Sequence, residues 1–484
     1  MSDEFLFLDR NEHVCIDWPA LLARYKRELL DSVVPFWLRY AIDTEHGGLF
    51  TCISDAGEVL STDKYMWSQL RAIWTFSALY NRIEPRPEWR DVAWRTYEFA
   101  RRHGRDEQSR WVFATTREGD VLQGANSIYA DGFAIYGLAE LARATGDPGV
   151  VALARETYES VQGRLARPGS YGTAPFDVPE GGKAHAISMI FSLVYFELGR
   201  ALRDDQIVEA GLWHARQVMD AFLRPGKHLL HEFVALDETL IDTPQGRSIV
   251  PGHAIESMWF MIHIFRHAGD GARVRQAVDA IRWHLEFGWD DEHGGLYHAR
   301  DAQGGEPWWR FADAKLWWPH TEALYALLLA YEETGAQWAL DWYRRIHDYA
   351  FDHYPVAVHG EWTQKLDRFG NKIADTVALP VKDPFHLPRA LILGIEVLER
   401  LANSPESAGY RRSPGREAVE QGRTFATLRL GEGQPQPAMP NLLFLITDQQ
   451  QAGITTTVSG PSAFRARRME SAAPHPWQPR LPGC

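Results

Sequence analysis

Histidines and carboxylates occur together at positions suited to acid–base chemistry. His253 and Glu256 are three residues apart, which on a helix places them on one face, where a carboxylate can orient or charge-tune an imidazole. His386 stands at a Pro-rich helix start, and Glu322 follows a pair of tryptophans. Imidazoles with a pKa near neutrality suit proton transfer. These residues are therefore candidates for general acid–base catalysis, although early carboxylates also simply favour a helix N-terminus.

A cation and large aromatic side chains accompany these groups. Arg71 lies one turn after Trp67, and Trp317 and Trp318 stand just before Pro319-His320. Aromatic residues make up 12% of the chain, and their flat apolar faces with polar edges suit an amphipathic ring such as a sugar. The same tryptophans would also suit a large helical core, so composition alone leaves both interpretations open.

A metal site and a glycosidic mechanism are the alternatives for this chemistry. The histidine pairs 228/231 and 263/267 have spacing that metal ligands use, but neither opens a predicted inner helix, and no HExxH motif occurs. A glycosidase would need paired carboxylates, and Asp131 is the aspartate that the predicted inner helices offer. We therefore predict neither a metal ion nor cleavage of glycosidic bonds.

Helices must position these residues, because apolar side chains recur at i, i+3, i+4 and i+7 through the first 400 residues. The pattern predicts twelve helices, over residues 18–40, 67–80, 92–102, 133–144, 150–165, 187–202, 207–223, 255–267, 274–287, 316–331, 338–351 and 387–401.

Two repeats organise the helices into a ring. His185, His253, His320 and His386 open every second helix and are separated by 68, 67 and 66 residues, and Asp131 and Lys64 mark two earlier units. The octads 43–50 and 290–297 are nearly identical Gly-Gly hairpins. Six helical hairpins predict an all-α fold, a closed (α/α)6 barrel with short β-hairpins at its mouth. The openings of its inner helices would converge at that mouth.

Composition excludes several classes of protein. The net charge is −13 over 484 residues without a long basic run, which argues against nucleic-acid binding. No apolar run is long enough to span a membrane, and the first residues lack the pattern of a signal peptide, so we expect a cytoplasmic protein. Three isolated cysteines exclude a disulfide framework.

The C-terminal region has a different character. Residues 403–438 are rich in Ser, Pro, Gly, Glu and Gln and predict a disordered linker. Residues 439–450 read as a buried strand ending in Asp448, and this strand resembles the opening strand of sulfatases. The Cys-x-Pro-x-Arg nucleophile motif is absent. We therefore divide the chain into a barrel, 1–402, and a truncated sulfatase-like fragment without function, 403–484.

Several longer motifs make the barrel recognisable. From about Trp37 to Arg389 the chain resembles the N-acylglucosamine 2-epimerase family. The shared motifs are Glu45-His46-Gly47-Gly48, Lys64-Tyr65 with Trp67, Gln69 and Arg71, Pro251-Gly252-His253-Ala254-Ile255-Glu256, Lys315 to Glu322, His359-Gly360-Glu361-Trp362, and Phe385-His386 with Pro388-Arg389. The resemblance implies an (α/α)6 barrel that interconverts sugars at C2 or isomerises aldoses and ketoses.

The expected reaction assigns a role to each group. The C2 hydrogen of an open-chain aldose is acidic because the carbonyl can hold the charge as an enediolate. His253 and His386 would act as acid and base on opposite faces, Arg71 would stabilise O1, Glu256 would tune His253, and Glu322 would assist ring opening or hold a hydroxyl. Expected substrate-binding residues are Lys64, Trp67, Gln69, Asp131, Trp317, Trp318 and His320.

The leading expectation is thus a cofactor-independent 2-epimerase acting on a monosaccharide such as N-acetylglucosamine or N-acetylmannosamine. The alternatives are an aldose–ketose isomerase, an epimerase of unmodified sugars and a non-catalytic sugar-binding barrel. Cellobiose-epimerase and mannose-isomerase relatives have a histidine where this chain has Ile190, and acetylglucosamine enzymes tend to have Gly-Cys at Asp383-Pro384. Allosteric activation by ATP, for which no phosphate-binding loop is present, and a homodimer are left open.

Overall fold

The computed structural model describes residues 5–8, 12–167, 169–374, 376, 377 and 379–404. These residues belong to a compact unit, Met1–Ser413. The predicted linker from residue 405 onward and the sulfatase-like fragment lie outside the described residues. None of the described helices is long and apolar enough to cross a membrane.

Each predicted helix is found, with small shifts at its ends. A π-helical turn, Glu28–Val33, joins α1 to α2 in one continuous element, and further π turns, Leu79–Ile83 and Val218–Phe222, extend α3 and α8. The helices are α1 Trp18–Arg27, α2 Val34–Tyr40, α3 Met66–Ala78, α4 Pro87–His103, α5 Ile128–Thr145, α6 Pro148–Leu165, α7 His185–Leu202, α8 Asp205–Gln217, α9 Pro251–His267, α10 Gly271–Gly288, α11 Trp317–Thr334, α12 Gln337–His353 and α13 His386–Ala402.

The helices form two concentric rings. In the inner ring α3, α5, α7, α9, α11 and α13 contact one another in sequence, and α13 contacts α3 to close the circle. The outer ring is α1–α2, α4, α6, α8, α10 and α12, each packed on an inner neighbour. The inner helices are buried along most of their length, whereas an outer helix such as α6 buries one stripe. The (α/α)6 barrel expected from the repeat is confirmed.

Short antiparallel strands connect the helices, and several directly precede an inner helix. β3, β6, β10 and β12 lead into α3, α7, α9 and α11. The strands are β1 Leu6–Leu8, β2 Val14–Ile16, β3 Lys64–Tyr65, β4 Ala114–Thr115, β5 Val121–Gln123, β6 Gly182–Ala184, β7 Leu223–Arg224, β8 Leu229–Leu230, β9 Phe233–Ala235, β10 Ser248–Ile249, β11 Arg300–Asp301, β12 Lys315–Leu316 and β13 Lys365–Leu366. The pairs are β1–β2, β3–β4–β5, β6–β9, β7–β8, β10–β11 and β12–β13.

The first Gly-Gly octad is fastened to α3 and β3. Both of its glycines have positive φ, +81° and +74°, a conformation that glycine adopts without steric cost. The buried Lys64 ammonium donates to Asp43 Oδ2 at 2.9 Å and to the Gly47 carbonyl. Gln69 accepts from the Leu49 amide and donates to its carbonyl, each at 2.8 Å. One lysine and one amide thus hold this turn against the barrel.

The second octad repeats the arrangement with one substitution. Lys315 donates to Asp290 Oδ2 at 3.0 Å and to the Gly295 carbonyl at 3.3 Å. His320 takes the place of the glutamine, with its Nε2 accepting from the Leu296 amide at 2.8 Å and its Nδ1 donating to the Leu316 carbonyl at 2.7 Å. The two half-barrels therefore fasten equivalent turns with different side chains.

Candidate active site

A cavity of about 390 Å³ opens at the N-terminal ends of the inner helices. Every inner helix contributes to its wall. The contributing side chains, in helix order, include Trp67, Phe133, Met189, His253, Trp318 and His386. The predicted convergence of the inner-helix openings at one mouth is therefore observed for these residues.

His253 lies on the cavity wall near the start of α9. Its Nδ1 atom contacts a carboxylate to which the sequence assigned no role. Nδ1 lies 3.1 Å from Oε2 of Glu232, a residue between β8 and β9 that is only 4% exposed. Burial lowers the pKa of His253, but the charge and hydrogen bond of Glu232, together with the charge of Glu256, outweigh it and the pKa is raised.

Glu256 does not hydrogen-bond to His253, so of the two roles expected from their spacing, orienting and charge-tuning, the geometry matches the second. Its carboxylate accepts from the Arg389 guanidinium, and it acts on His253 through space as a negative charge. A helical separation of three residues puts the two side chains on one face, but the buried Arg389 on α13 draws the carboxylate across the barrel. Glu256 remains on the cavity wall.

His386 opens α13, and its Nδ1 lies 2.7 Å from Oε1 of Glu322 on α11. The same carboxylate accepts from Arg389 at 2.7 Å and from the Trp259 indole at 2.9 Å. Burial raises the pKa of Glu322, but the opposite effect of Arg389 and His386 is larger, and the pKa is lowered to about 2. Glu322 thus lies behind His386, with its oxygens occupied, where it positions the imidazole.

Trp318 lies between the two imidazoles. Its ring centroid is 5.1 Å from that of His253 and 5.6 Å from that of His386. Among the described residues, neither histidine forms a hydrogen bond through Nε2. Because each Nδ1 is occupied by a carboxylate and both rings line the cavity, the two Nε2 atoms are the groups available for proton transfer.

Arg71 is held at the cavity by Asp383. Its Nη1 donates to Asp383 Oδ1 at 3.1 Å, while the other oxygen of this carboxylate accepts from the backbone amides of Phe385 and His386. Asp383 therefore binds two backbone amides at the start of α13 and anchors Arg71 at the same time. The guanidinium also packs on Phe133, with its carbon 4.0 Å from the ring centroid.

The three tryptophans predicted to contact substrate all line the cavity. Trp67 packs against Phe133 with ring centroids 4.9 Å apart, and Trp317 and Trp318 form the wall beside His386. Indole faces beside ionisable groups and an arginine give the cavity the composition of a site for a polyhydroxylated ring.

Four predicted substrate-binding residues lie outside the cavity wall. Lys64, Gln69 and His320 are fully buried and hold the two octads, and Asp131 forms a buried ion pair with Arg164. Each satisfies backbone or side-chain groups of the fold, so the position at an inner-helix opening did not by itself indicate a binding role. His185, which marks the repeat at α7, is likewise buried, with Nε2 2.7 Å from the Ser257 hydroxyl.

One group of possible metal ligands occurs among the described residues. Oxygen and nitrogen atoms of Glu256, Glu322 and His386 lie within 4.8 Å of one another. Arg389 lies at the same place and donates to both carboxylates. The guanidinium therefore supplies the positive charge that these carboxylates require.

Three residues to which the sequence assigned no role organise the site: Glu232, Asp383 and Arg389. Glu232 lies in an irregular connection, where no periodic pattern identifies it. The signal that the sequence offered is its position next to a second ionisable residue, His231. Arg389 and Asp383 stand three residues after and three before His386, and this spacing around a helix start could have indicated them.

Residues 48–390 match the family described as N-acylglucosamine 2-epimerase. The chain belongs to the N-acylglucosamine 2-epimerase family. It is similar to the N-acylglucosamine 2-epimerase of Bos taurus, with 33% identity over 420 residues that cover 84% of this chain and 98% of the relative. The corresponding Homo sapiens protein is 30% identical over 386 residues, covering 78% and 90%.

Solved structures show the same fold. A cellobiose 2-epimerase from Bacillus thermoamylovorans has a TM-score of 0.70 at 20% identity, covering 78% of this chain and 99% of that one. A D-mannose isomerase has a TM-score of 0.66 at 17% identity, covering 78% and 97%. The expected membership of the N-acylglucosamine 2-epimerase family is thus confirmed, and with it the assignment as a carbohydrate epimerase.

Proposed function

We propose that this protein is a cofactor-independent 2-epimerase that interconverts N-acetylglucosamine and N-acetylmannosamine through an enediolate. One observation carries the proposal. His253 and His386, from different inner helices, line one cavity, each with Nδ1 on a buried carboxylate. Two such imidazoles meet the requirement of inversion, which removes a proton on one face of C2 and returns one on the other.

The reaction needs only groups of this chain. One imidazole Nε2 takes the C2 proton of the open-chain aldose, and the electron pair of the broken C–H bond forms the enediolate, whose O1 charge Arg71 stabilises. The protonated second imidazole then delivers its Nε2 proton to the opposite face, which forms the new C2–H bond and restores the carbonyl. Exchange with solvent resets the two histidines.

An N-acyl substituent fits the apolar side of the cavity. Met189 and Ile190 on α7 and Phe133 on α5 line this side, and an acyl methyl gains from apolar contact. The curated relatives named N-acylglucosamine 2-epimerase support the same substrate class. We therefore favour an N-acylated amino sugar over an unmodified one.

We also propose that the barrel alone carries the activity. The acid–base, cation and aromatic groups of the mechanism lie between Trp67 and Arg389 of one chain. In this proposal the described barrel residues supply each group of the mechanism.

The test is proton NMR in D₂O with N-acetylmannosamine as substrate. We expect N-acetylglucosamine to appear with deuterium at C2, and His253→Asn or His386→Asn to abolish net epimerisation. A matched control is His228→Asn, because His228 stacks on Trp283 away from the cavity. A ketose product would instead make the protein an isomerase. Absence of C2 exchange with N-acetylmannosamine, mannose and glucose would contradict the proposed function.

A further inference from the structure

Glu232 is a buried carboxylate that, within the described part of the chain, forms no ion pair with a lysine or arginine. Among the described residues its ion-pair partners are two histidines, His253 at 3.1 Å and His185 at 3.9 Å. Its backbone is held firmly, since the Glu232 carbonyl accepts from the His185 amide at 2.8 Å and the next residue, Phe233, pairs with Ala184 in the β6–β9 ladder. A buried anion of this kind favours a proton on its histidine partner.

The second imidazole has a different electrostatic environment. Glu322 also contacts its histidine, but its Oε1 accepts from Arg389 as well as from His386. Arg389 shares its one permanent positive charge between Glu322 and Glu256, so it offsets part of the Glu322 charge, whereas the partners of Glu232 are histidines. The two imidazole–carboxylate pairs therefore look alike in geometry and differ in charge balance.

We propose that Glu232 is a positioning residue that aims Nε2 of His253 into the cavity and keeps the resting proton of the histidine pair on His253. The proposal rests on the proposed epimerase function. It makes His386 the base for the epimer whose C2 hydrogen faces α13, and His253 the acid that completes inversion.

The other charges around His253 do not cancel this effect. Glu256, on the same helix, adds to the negative potential, while Arg71 on α3 opposes it. Glu256 is itself paired with Arg389, and Arg71 with Asp383, so each of these charges is partly offset by its neighbour. His298, across the cavity, is neutral at pH 7 because burial lowers its pKa to about 4. The charged and titratable groups that face His253 are Glu232, His185, Glu256, Arg71, His298 and, through Glu256, Arg389.

The first experiment follows the protonation of His253 directly. Nitrogen-15 NMR of the labelled full chain, with the His253 signal assigned by His253→Asn, reports imidazolium or neutral ring across pH. In the wild type we expect His253 to remain imidazolium at pH 7. In Glu232→Gln we expect its titration to move to lower pH by about 1 to 3 units, because an adjacent opposite charge shifts an ionisation by that amount.

The second experiment is the pH profile of kcat/KM. Because the active pair holds one proton, the basic limb marks the loss of that proton. Glu232→Gln should move the basic limb to lower pH, leave the acid limb in place and lower kcat about 100-fold. Glu232→Asp, which keeps the charge, should restore the basic limb while kcat stays low. The matched control Glu238→Gln removes a carboxylate that pairs with Lys183 on the same hairpin and should leave the profile unchanged.

An unchanged His253 titration in a folded Glu232→Gln variant would overturn the proposal. So would a basic limb that moves equally in Glu238→Gln. If Glu232→Gln fails to fold, the Glu232→Asp profile decides, because a basic limb displaced to lower pH there would contradict a charge effect. Failure of the epimerase proposal appears separately, as absence of C2 exchange in the wild type, and leaves the NMR titration interpretable.

Discussion

Arg389 is the residue on which both carboxylates of the His386 side depend. It is 2% exposed, donates to Glu256 and to Glu322, and packs its guanidinium against Phe385 with 4.4 Å between carbon and ring centroid. One guanidinium with five donors in a plane can serve two carboxylates and a ring face at once, which a lysine ammonium cannot. The site is therefore organised by a residue that does not transfer a proton.

Replacing Arg389 with methionine tests this role at the residue scale. The change leaves two buried carboxylates without a counter-ion, so we expect the free energy of unfolding to fall by about 3–5 kcal/mol and catalysis to be lost. Urea unfolding at pH 7 measures the first effect. The matched control is Arg282→Met, which removes an exposed arginine paired with Glu286 and should stay close to wild type. An Arg389→Met variant as stable as wild type would contradict the assigned role.

At the scale of elements, the two octads need the same hydrogen-bond acceptor and obtain it from different side chains. Each turn presents a leucine amide toward an inner helix, and Gln69 or His320 accepts from it. The choice has a consequence for pH. Burial lowers the pKa of His320 to about 3, because protonation would place a charge in the core and replace its acceptor by a donor. A glutamine acceptor carries no such dependence.

Replacing His320 with glutamine, the residue that the first octad uses, tests this difference in pH dependence. His320 is neutral in the folded chain and protonates below about pH 6.5 when unfolded, so its contribution to stability is lost as pH falls below 6.5. For His320→Gln we expect the loss of unfolding free energy between pH 7 and pH 5 to be smaller than in wild type by about 2 kcal/mol. Chemical denaturation at the two pH values measures it.

The control for this exchange is His320→Leu. It removes the titration, as His320→Gln does, and also leaves the Leu296 amide without an acceptor, so relative to His320→Gln we expect a loss of about 1–3 kcal/mol at both pH values. An equal pH dependence in wild type and His320→Gln would show that His320 does not carry the effect.

At the scale of the whole barrel, the cavity opens at one end of the inner helices, and ion pairs connect their other ends. The C-terminal ends of the inner helices carry alternating arginines and glutamates, and Glu140 on α5 is the most buried of them, at 1% exposure. It accepts from Asn81, Arg82 and Arg143. Further pairs in this ring are Arg143–Glu197, Arg82–Glu396, Arg266–Glu333 and Arg400–Glu332. The ring links helices that are distant in sequence.

Removing one charge from this ring tests its contribution. Burial raises the pKa of Glu140, but the opposite effect of Arg82 and Arg143 is larger, and the pKa is lowered to about 2. Its folded pKa lies below the unfolded one, so its contribution is present above about pH 4.5 and is lost as pH falls toward 2. We expect Glu140→Gln to lower the unfolding free energy by about 3–5 kcal/mol at pH 7.

The difference between Glu140→Gln and wild type should shrink as the pH falls below 4.5. Denaturation curves at pH 7 and pH 3.5 measure it. Glu98→Gln, which removes a partner of Arg101 on the outer surface, is the matched control and should remain close to wild type. A difference that stays constant with pH would show that the charge of Glu140 is not responsible.

The sequence by itself determined the ring of helices and three of the chemical groups in the cavity. Apolar periodicity predicted each helix, because burial against a neighbour requires one apolar stripe per turn. The spacing of His253 and His386 and the position of Arg71 placed three chemical groups at inner-helix openings, and the structure finds all three on one cavity. Such features are local in sequence or repeat at a fixed interval, so the sequence is sufficient to predict them.

Only the tertiary structure decided which polar groups meet. Glu256 was expected to orient or charge-tune His253 from a spacing of three residues. Its carboxylate accepts from Arg389, 133 residues away, and acts on His253 only as a nearby charge. The hydrogen-bond partner of His253 is Glu232, from an irregular segment. His320 stands at an opening equivalent to that of His386 but faces the core. His320 is the fourth residue of α11 and His386 the first of α13, and this offset along the helix turns one side chain toward a neighbouring turn and the other toward the cavity. A buried charge then selects the strongest available counter-charge, whatever its distance along the chain.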